Sequence, residues 1–199
     1  MDPEEFRALI AACDPEKFCE EQLFQKKSWL FEDSGLDEIS STYEEFRQAI
    51  GVATGVDPAD IRLVGSSRFG FSMNPKPAKR FRPFNDESDL DVLIVSEQLF
   101  SEIWAQFRHA YYNGYAWVKE RHGGDIFRRF LYLLREDRYN TSYLRQAAKR
   151  MDEMTKEVLL QTGISRTLKY RIYANWTDAV SYHAHGIRKL QRDLQNVAQ

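Results

Sequence analysis

The chain has 199 residues, of which 43% are apolar and 14% aromatic, enough for one domain with a sizeable core. Its 28 basic and 30 acidic side chains nearly cancel to a formal charge of −2, which argues against a protein that coats nucleic acid through overall charge. No run approaches the ~18 apolar residues of a membrane span, the acidic start MDPEEFRALI lacks the pattern of a signal peptide, and two cysteines six positions apart make neither a disulfide framework nor a zinc set. These features predict a cytoplasmic protein with no membrane association.

Three stretches share one helix-start signature, Asp followed by Pro: Asp2-Pro3, Asp14-Pro15 and Asp57-Pro58. The first two predict helices over 3–12 and 15–30. Ser41-Thr42-Tyr43-Glu44-Glu45 reads as a capping box for a third helix that ends near Gly51 or Gly55. The Asp57 turn leads into a strand, Ile61-Arg62-Leu63-Val64, and then directly into Gly65-Ser66-Ser67-Arg68-Phe69-Gly70. Residues 74–88 form a loop rich in Pro and basic residues. Its Lys76, Lys79, Arg80 and Arg82 are interleaved with Phe81 and Phe84, a mixture able to hold a phosphate backbone, but the reading preferred is a solvated, mobile loop.

The next strand is Asp89-Leu90-Asp91-Val92-Leu93-Ile94-Val95, with Ser96 capping a helix over 97–111. More helix is predicted over 115–134, with Gly123-Gly124 as a candidate break, and again from a Thr141 cap to Gly163. Thr167–Asn175 alternates Leu168, Tyr170, Ile172 and Ala174 with Lys169, Arg171, Tyr173 and Asn175, the period of a strand. A final helix starts at Asp178, with His183 as a core residue on its apolar stripe. The whole reads as one mixed α and β domain over 1–199. N-terminal helices occupy 1–56, a helical segment spans 97–163, and a small mixed sheet lies between the N-terminal and C-terminal helices.

Chemistry concentrates at two places. Asp89 and Asp91 are two apart on a strand, so both carboxylates project to one side. Two carboxylates at the edge of a core repel each other and resist loss of water. A hard divalent cation, Mg²⁺ or Mn²⁺, held by them together with substrate phosphates, removes both penalties. The small-residue turn Gly65-Ser66-Ser67 follows a strand and can aim backbone N–H groups and hydroxyls at an anion. Neither the P-loop nor the Rossmann glycine pattern is present.

Gly65-Ser66 followed by Asp89-Leu90-Asp91 and an apolar run resembles the signature of the DNA polymerase β-type nucleotidyltransferase superfamily. The wider likeness, over 62–95 and again over 167–190, is to stand-alone bacterial nucleotidyltransferases, which often occur in toxin–antitoxin or antiviral-defence settings. The resemblance implies a nucleotidyltransferase-type small mixed sheet. It implies metal binding and catalysis by Asp89 and Asp91, and nucleotide binding by Gly65, Ser66, Ser67 and Arg68. The implied reaction is magnesium-dependent transfer of a nucleoside monophosphate from an NTP or dNTP, ATP among them, to an acceptor hydroxyl. The acceptor would be a protein, a small molecule or a nucleic-acid end, and oligonucleotide synthesis falls within this class.

Two features depart from that pattern. The stretch between the two motifs is long. Active members also carry a third carboxylate on a later strand, and TLKYRIYAN has none. Asp125, Glu136, Asp137 and Asp178 remain as sources, and the sequence does not choose among them. Without a third acid the alternative is a catalytically silent nucleotidyltransferase-type protein that binds nucleotide or nucleic acid and regulates a protein partner.

Overall fold

The computed structural model describes residues 2–36, 39, 41–133 and 142–197. The expected Asp-Pro caps form. The Asp2 carboxylate accepts from the Glu4 and Glu5 amides at 2.7 and 2.9 Å, and Glu5 reaches back to the Asp2 amide, opening α1 (Pro3–Ala12). Asp14 caps α2 (Pro15–Phe18). The helix expected over 15–30 stops early, however. After α2 the chain widens into a π-helical turn over Cys19–Leu23 and resumes only at α3 (Trp29–Glu32). Two arginines account for the break. Arg68 donates twice to the Gln22 carbonyl and Arg62 donates to the Phe24 carbonyl, taking acceptors that a continuing helix would use.

The third helix, α4 (Tyr43–Thr54), has the expected capping box, formed by Thr42 and Glu45, and ends on Gly55 at φ +74°. Then follow β1 (Ile61–Val64), a single turn α5 (Ser66–Phe69), β2 (Leu90–Val95), α6 (Glu97–Tyr112) and α7 (Trp117–Phe127). Beyond them lie β3 (Phe130–Leu131), α8 (Ser142–Thr162), β4 (Leu168–Tyr173) and α9 (Trp176–Val197). Gly123 and Gly124 sit inside α7 without breaking it. The helix expected over 115–134 instead ends before Arg129, whose φ of +62° turns the chain into the short strand β3. The expected cap at Thr141 lies outside the described residues.

The sheet order is β1-β2-β4-β3. β1 runs antiparallel to β2, with Val64 opposite Asp91, and β3 runs antiparallel to β4. β2 and β4 are parallel, with Leu90 opposite Leu168 and Asp91 opposite Lys169. Helices cover both sheet faces. Leu90, Val92 and Ile94 with Leu168, Tyr170 and Ile172 pack against α4, α6 and α8. Val64, Leu93, Val95 and Tyr173 face α1, α2 and α9. On that second face Phe6 is the hub, with the rings of Phe18, Phe69, Phe71 and Phe81 between 5.0 and 6.0 Å from its own. Among the described residues no helix is long and apolar enough to cross a membrane.

The 74–88 segment is anchored, in contrast to the solvated loop expected. Ser72 and Phe81–Arg82 exchange backbone hydrogen bonds of 2.9 Å, and the Phe84 amide donates to the Gly70 carbonyl. Phe81 is buried against Phe6 and Phe71, with the Arg7 guanidinium over its ring. Arg80 donates to the Pro75 carbonyl and reaches Asp193 of α9. The aromatic residues that suggested base stacking are the anchors, while Lys76, Lys79 and Arg82 stay exposed.

His183 lies, as expected, in the core rather than in a site. Its ring is enclosed by Phe24, Tyr173 and Tyr182. His122 stacks on Phe107 with ring centroids 4.4 Å apart. Burial pushes His183 down to about 3 and His122 down to about 4, with Arg171 and Arg121 adding repulsion. Both imidazoles are therefore neutral in the folded chain and take up protons on unfolding below about 6.5. Stability should fall as pH drops from about 6.5 toward 4, by up to ~1.4 kcal/mol per pH unit for each imidazole. Urea midpoints measured across this range should show a steep acid-side loss, and His183→Phe should make it shallower.

Candidate functional site

Three chain segments meet at one end of the sheet: the exit of β1 and the entries of β2 and β4. The antiparallel pairing of β1 and β2 brings the Gly65 turn beside Asp91. Gly65 adopts φ +73° and ψ −144°, a region open in practice only to glycine. A Cβ there would stand 3.0 Å from Asp91 Oδ2. The turn is thus pressed onto the carboxylate, and glycine is required by both conformation and space.

The residues after Gly65 divide by direction. Ser66 is half-buried beside the site. Ser67 is fully buried. Its hydroxyl donates to the Val64 carbonyl at 3.1 Å, and its carbonyl accepts from the Ser28 hydroxyl at 2.8 Å. Arg68 is committed to the Gln22 carbonyl, with bonds of 3.1 and 2.7 Å. The Ser67 hydroxyl and carbonyl and the Arg68 guanidinium, expected at a nucleotide, brace the turn against β1 and the N-terminal segment.

Asp89 immediately precedes β2 and Asp91 lies within it, both half-buried and on one side. The sequence did not show what stands beside them. Lys169 Nζ bonds the Asp89 carboxylate, and Arg171 Nη1 lies 3.2 Å from Asp91 Oδ1. The polar alternation of β4 was legible, but its partners were not, because they follow from the parallel register of two strands far apart in sequence. These pairs sit on the strand where the resemblance places a third acid. The four side chains are 27–40% exposed, so the quartet opens to solvent.

Burial raises the Asp91 pKa, against the pull of Arg171 and Lys169, while the Asp89 charge adds to the rise. Burial disfavours the Lys169 ammonium, yet the bond to Asp89 and the charges of Asp89 and Asp91 outweigh it and lift its pKa. Burial also opposes the Arg171 charge, which Asp91 and the hydroxyls of Tyr182, Tyr173 and Tyr132 more than restore. The quartet is electrically neutral, each carboxylate being matched by one cation.

Among the described residues no group of three His, Cys, Asp or Glu is placed to hold a metal ion. Asp125 pairs with Arg128 at 2.8 Å, and Asp178 pairs with Arg129 at 3.2 Å. Asp178 lies in the first turn of α9, which follows the far end of β4. Neither joins Asp89 and Asp91. Glu136 and Asp137 lie outside the described residues. Asp89 and Asp91 thus offer two carboxylates and no third acidic, His or Cys donor among the described residues.

An open groove of about 1170 Å³ borders the same end of the sheet. It runs between α8 and residues 163–168, and Lys149, Lys156, Asp152 and Glu153 give it mixed charge. Comparison of the chain with family models, with curated proteins and with solved structures yields no match in any of the three.

The contact between Gly65 and Asp91 has a direct test. Gly65→Ala should lower stability by ~1–3 kcal/mol, through strain at a positive φ and the displaced carboxylate. In an Asp91→Ala background the same change should cost less, and a double-mutant cycle by urea unfolding measures the difference.

Proposed function

We propose that the chain is a metal-dependent nucleotidyltransferase that moves a nucleoside monophosphate from an NTP or dNTP to an acceptor hydroxyl. One observation carries the reading: the glycine turn after β1 lies beside the carboxylate of Asp91, so the turn and the carboxylate pair share one solvent-open end of the sheet.

In this reading Asp89 and Asp91 hold Mg²⁺ or Mn²⁺, which neutralises the triphosphate and lowers the pKa of the attacking hydroxyl. Gly65 lets the backbone approach the phosphates, and the Ser66 hydroxyl and amide orient them. Lys169 and Arg171 would offer positive charge to the departing pyrophosphate. The acceptor oxygen forms a bond to the α-phosphorus while the bond to the bridging oxygen breaks. The hydroxyl proton leaves to a carboxylate or to water.

A second reading follows from Lys169 and Arg171 themselves. Cations on the strand expected to supply the third acid suit a protein that binds nucleotide without turning it over and regulates a partner. Labelled ATP, GTP, CTP, UTP and the dNTPs, incubated with Mg²⁺ or Mn²⁺ and with cell RNA, DNA and protein, separate the two. Label transferred to an acceptor by the wild type, and reduced at least ~100-fold in Asp89→Ala/Asp91→Ala, supports the transferase. Nucleotide binding with no transfer to any acceptor supports the silent form.

A further inference from the structure

We infer that the Asp89–Lys169 and Asp91–Arg171 pairs make this a site for a metal–triphosphate complex taken up as one unit, and that they reject free cation and free nucleotide alike. The inference rests on the nucleotide reading above and deepens it. The basis is the charge arrangement. Each carboxylate already has a cation in contact, and the four groups share one small, half-buried surface. A divalent cation arriving alone must displace Lys169 and Arg171 from their partners and leave two positive groups beside a third. A triphosphate arriving alone must draw the same cations away and leave two carboxylates facing its own charge.

When both arrive together, each of the four groups finds a partner. The carboxylates turn to the metal, and Lys169 and Arg171 turn to the phosphates. The Lys169 side chain is 40% exposed and flexible, so it can swing without disturbing the core. Arg171 is 28% exposed and can offer its remaining donors to a phosphate while keeping its stem beside Tyr173 and Tyr182. The ion pairs thus act as a lock that two ligands open jointly, and by linkage each ligand must raise the affinity of the other by the same factor.

The test measures binding, not activity. Three arms use the intact chain: Mn²⁺ alone followed by electron paramagnetic resonance, α,β-methylene-ATP alone in EDTA, and the same analogue with excess Mg²⁺, the latter two by calorimetry. The wild type should bind the analogue at least about tenfold more tightly with Mg²⁺ than without it, and should bind Mn²⁺ alone only weakly. Lys169→Gln should bind Mn²⁺ alone about tenfold more tightly and the Mg²⁺–analogue complex more weakly. Asp89→Asn, which frees Lys169, should bind the analogue more tightly in EDTA and depend less on Mg²⁺.

Equal Mn²⁺ affinity in the wild type and Lys169→Gln, with both folded by circular dichroism, overturns the inference. So does analogue binding that Mg²⁺ leaves unchanged. If no variant binds the analogue in either arm while Lys169→Gln still tightens Mn²⁺, the nucleotide reading fails and the guarding of the carboxylates by Lys169 stands.

Discussion

The parallel register of β2 on β4 is the constraint on which the site depends. Asp91 lies opposite Lys169 and Leu93 opposite Arg171, and the ion pairs run diagonally between these rows. Side chains on a strand alternate, so a slip of one residue would carry Asp91 to the face packed by α4, α6 and α8. An unpaired carboxylate there would cost far more than any ion pair returns. The register is held by apolar residues on both faces, Leu90, Val92 and Ile94 on one and Leu93 and Val95 on the other. The charged groups are thus placed by a core they do not join.

Placement and stability are separate matters at this end of the sheet. Ion pairs exposed to this degree contribute little to folding, about 0–1 kcal/mol each. Their effect is instead to let two carboxylates stand together where the covering helices end. Without Lys169 and Arg171 the aspartates would repel each other, adding to the burial that already raises the pKa of Asp91. Pairs of this kind cost little to open.

What could be read from the sequence was local. The alternation in β2 and β4, the Asp-Pro caps and the shared side of Asp89 and Asp91 all depend on residues a few positions apart. The missed features depend on distant groups. The helix expected over 15–30 breaks because arginines some forty residues later take its carbonyls. The bonds of Ser67 and Arg68 to Ser28, Val64 and Gln22 were equally out of view. The 74–88 segment looks solvated until Phe81 meets Phe6. β3 has only two residues, too few for any alternation to register. A composition of basic and aromatic residues cannot separate an anchor from a ligand, since both use the same rings.

The strap over residues 22–28 gives the N-terminal segment a standing of its own. Gln22, Phe24 and Ser28 are joined to Arg68, Arg62 and Ser67 by hydrogen bonds that cross from outside the sheet to its central turn. Arg62 is buried over the Trp176 ring, and Phe6 fills the centre of an aromatic cluster. A chain lacking its first 28 residues would leave the Arg68 guanidinium and the Arg62 Nε without their acceptors, although Arg62 Nη1 would keep the Ala59 and Ile61 carbonyls. The segment is therefore part of the site's foundation, and a change in residues 22–28 would reach the Gly65 turn without touching it.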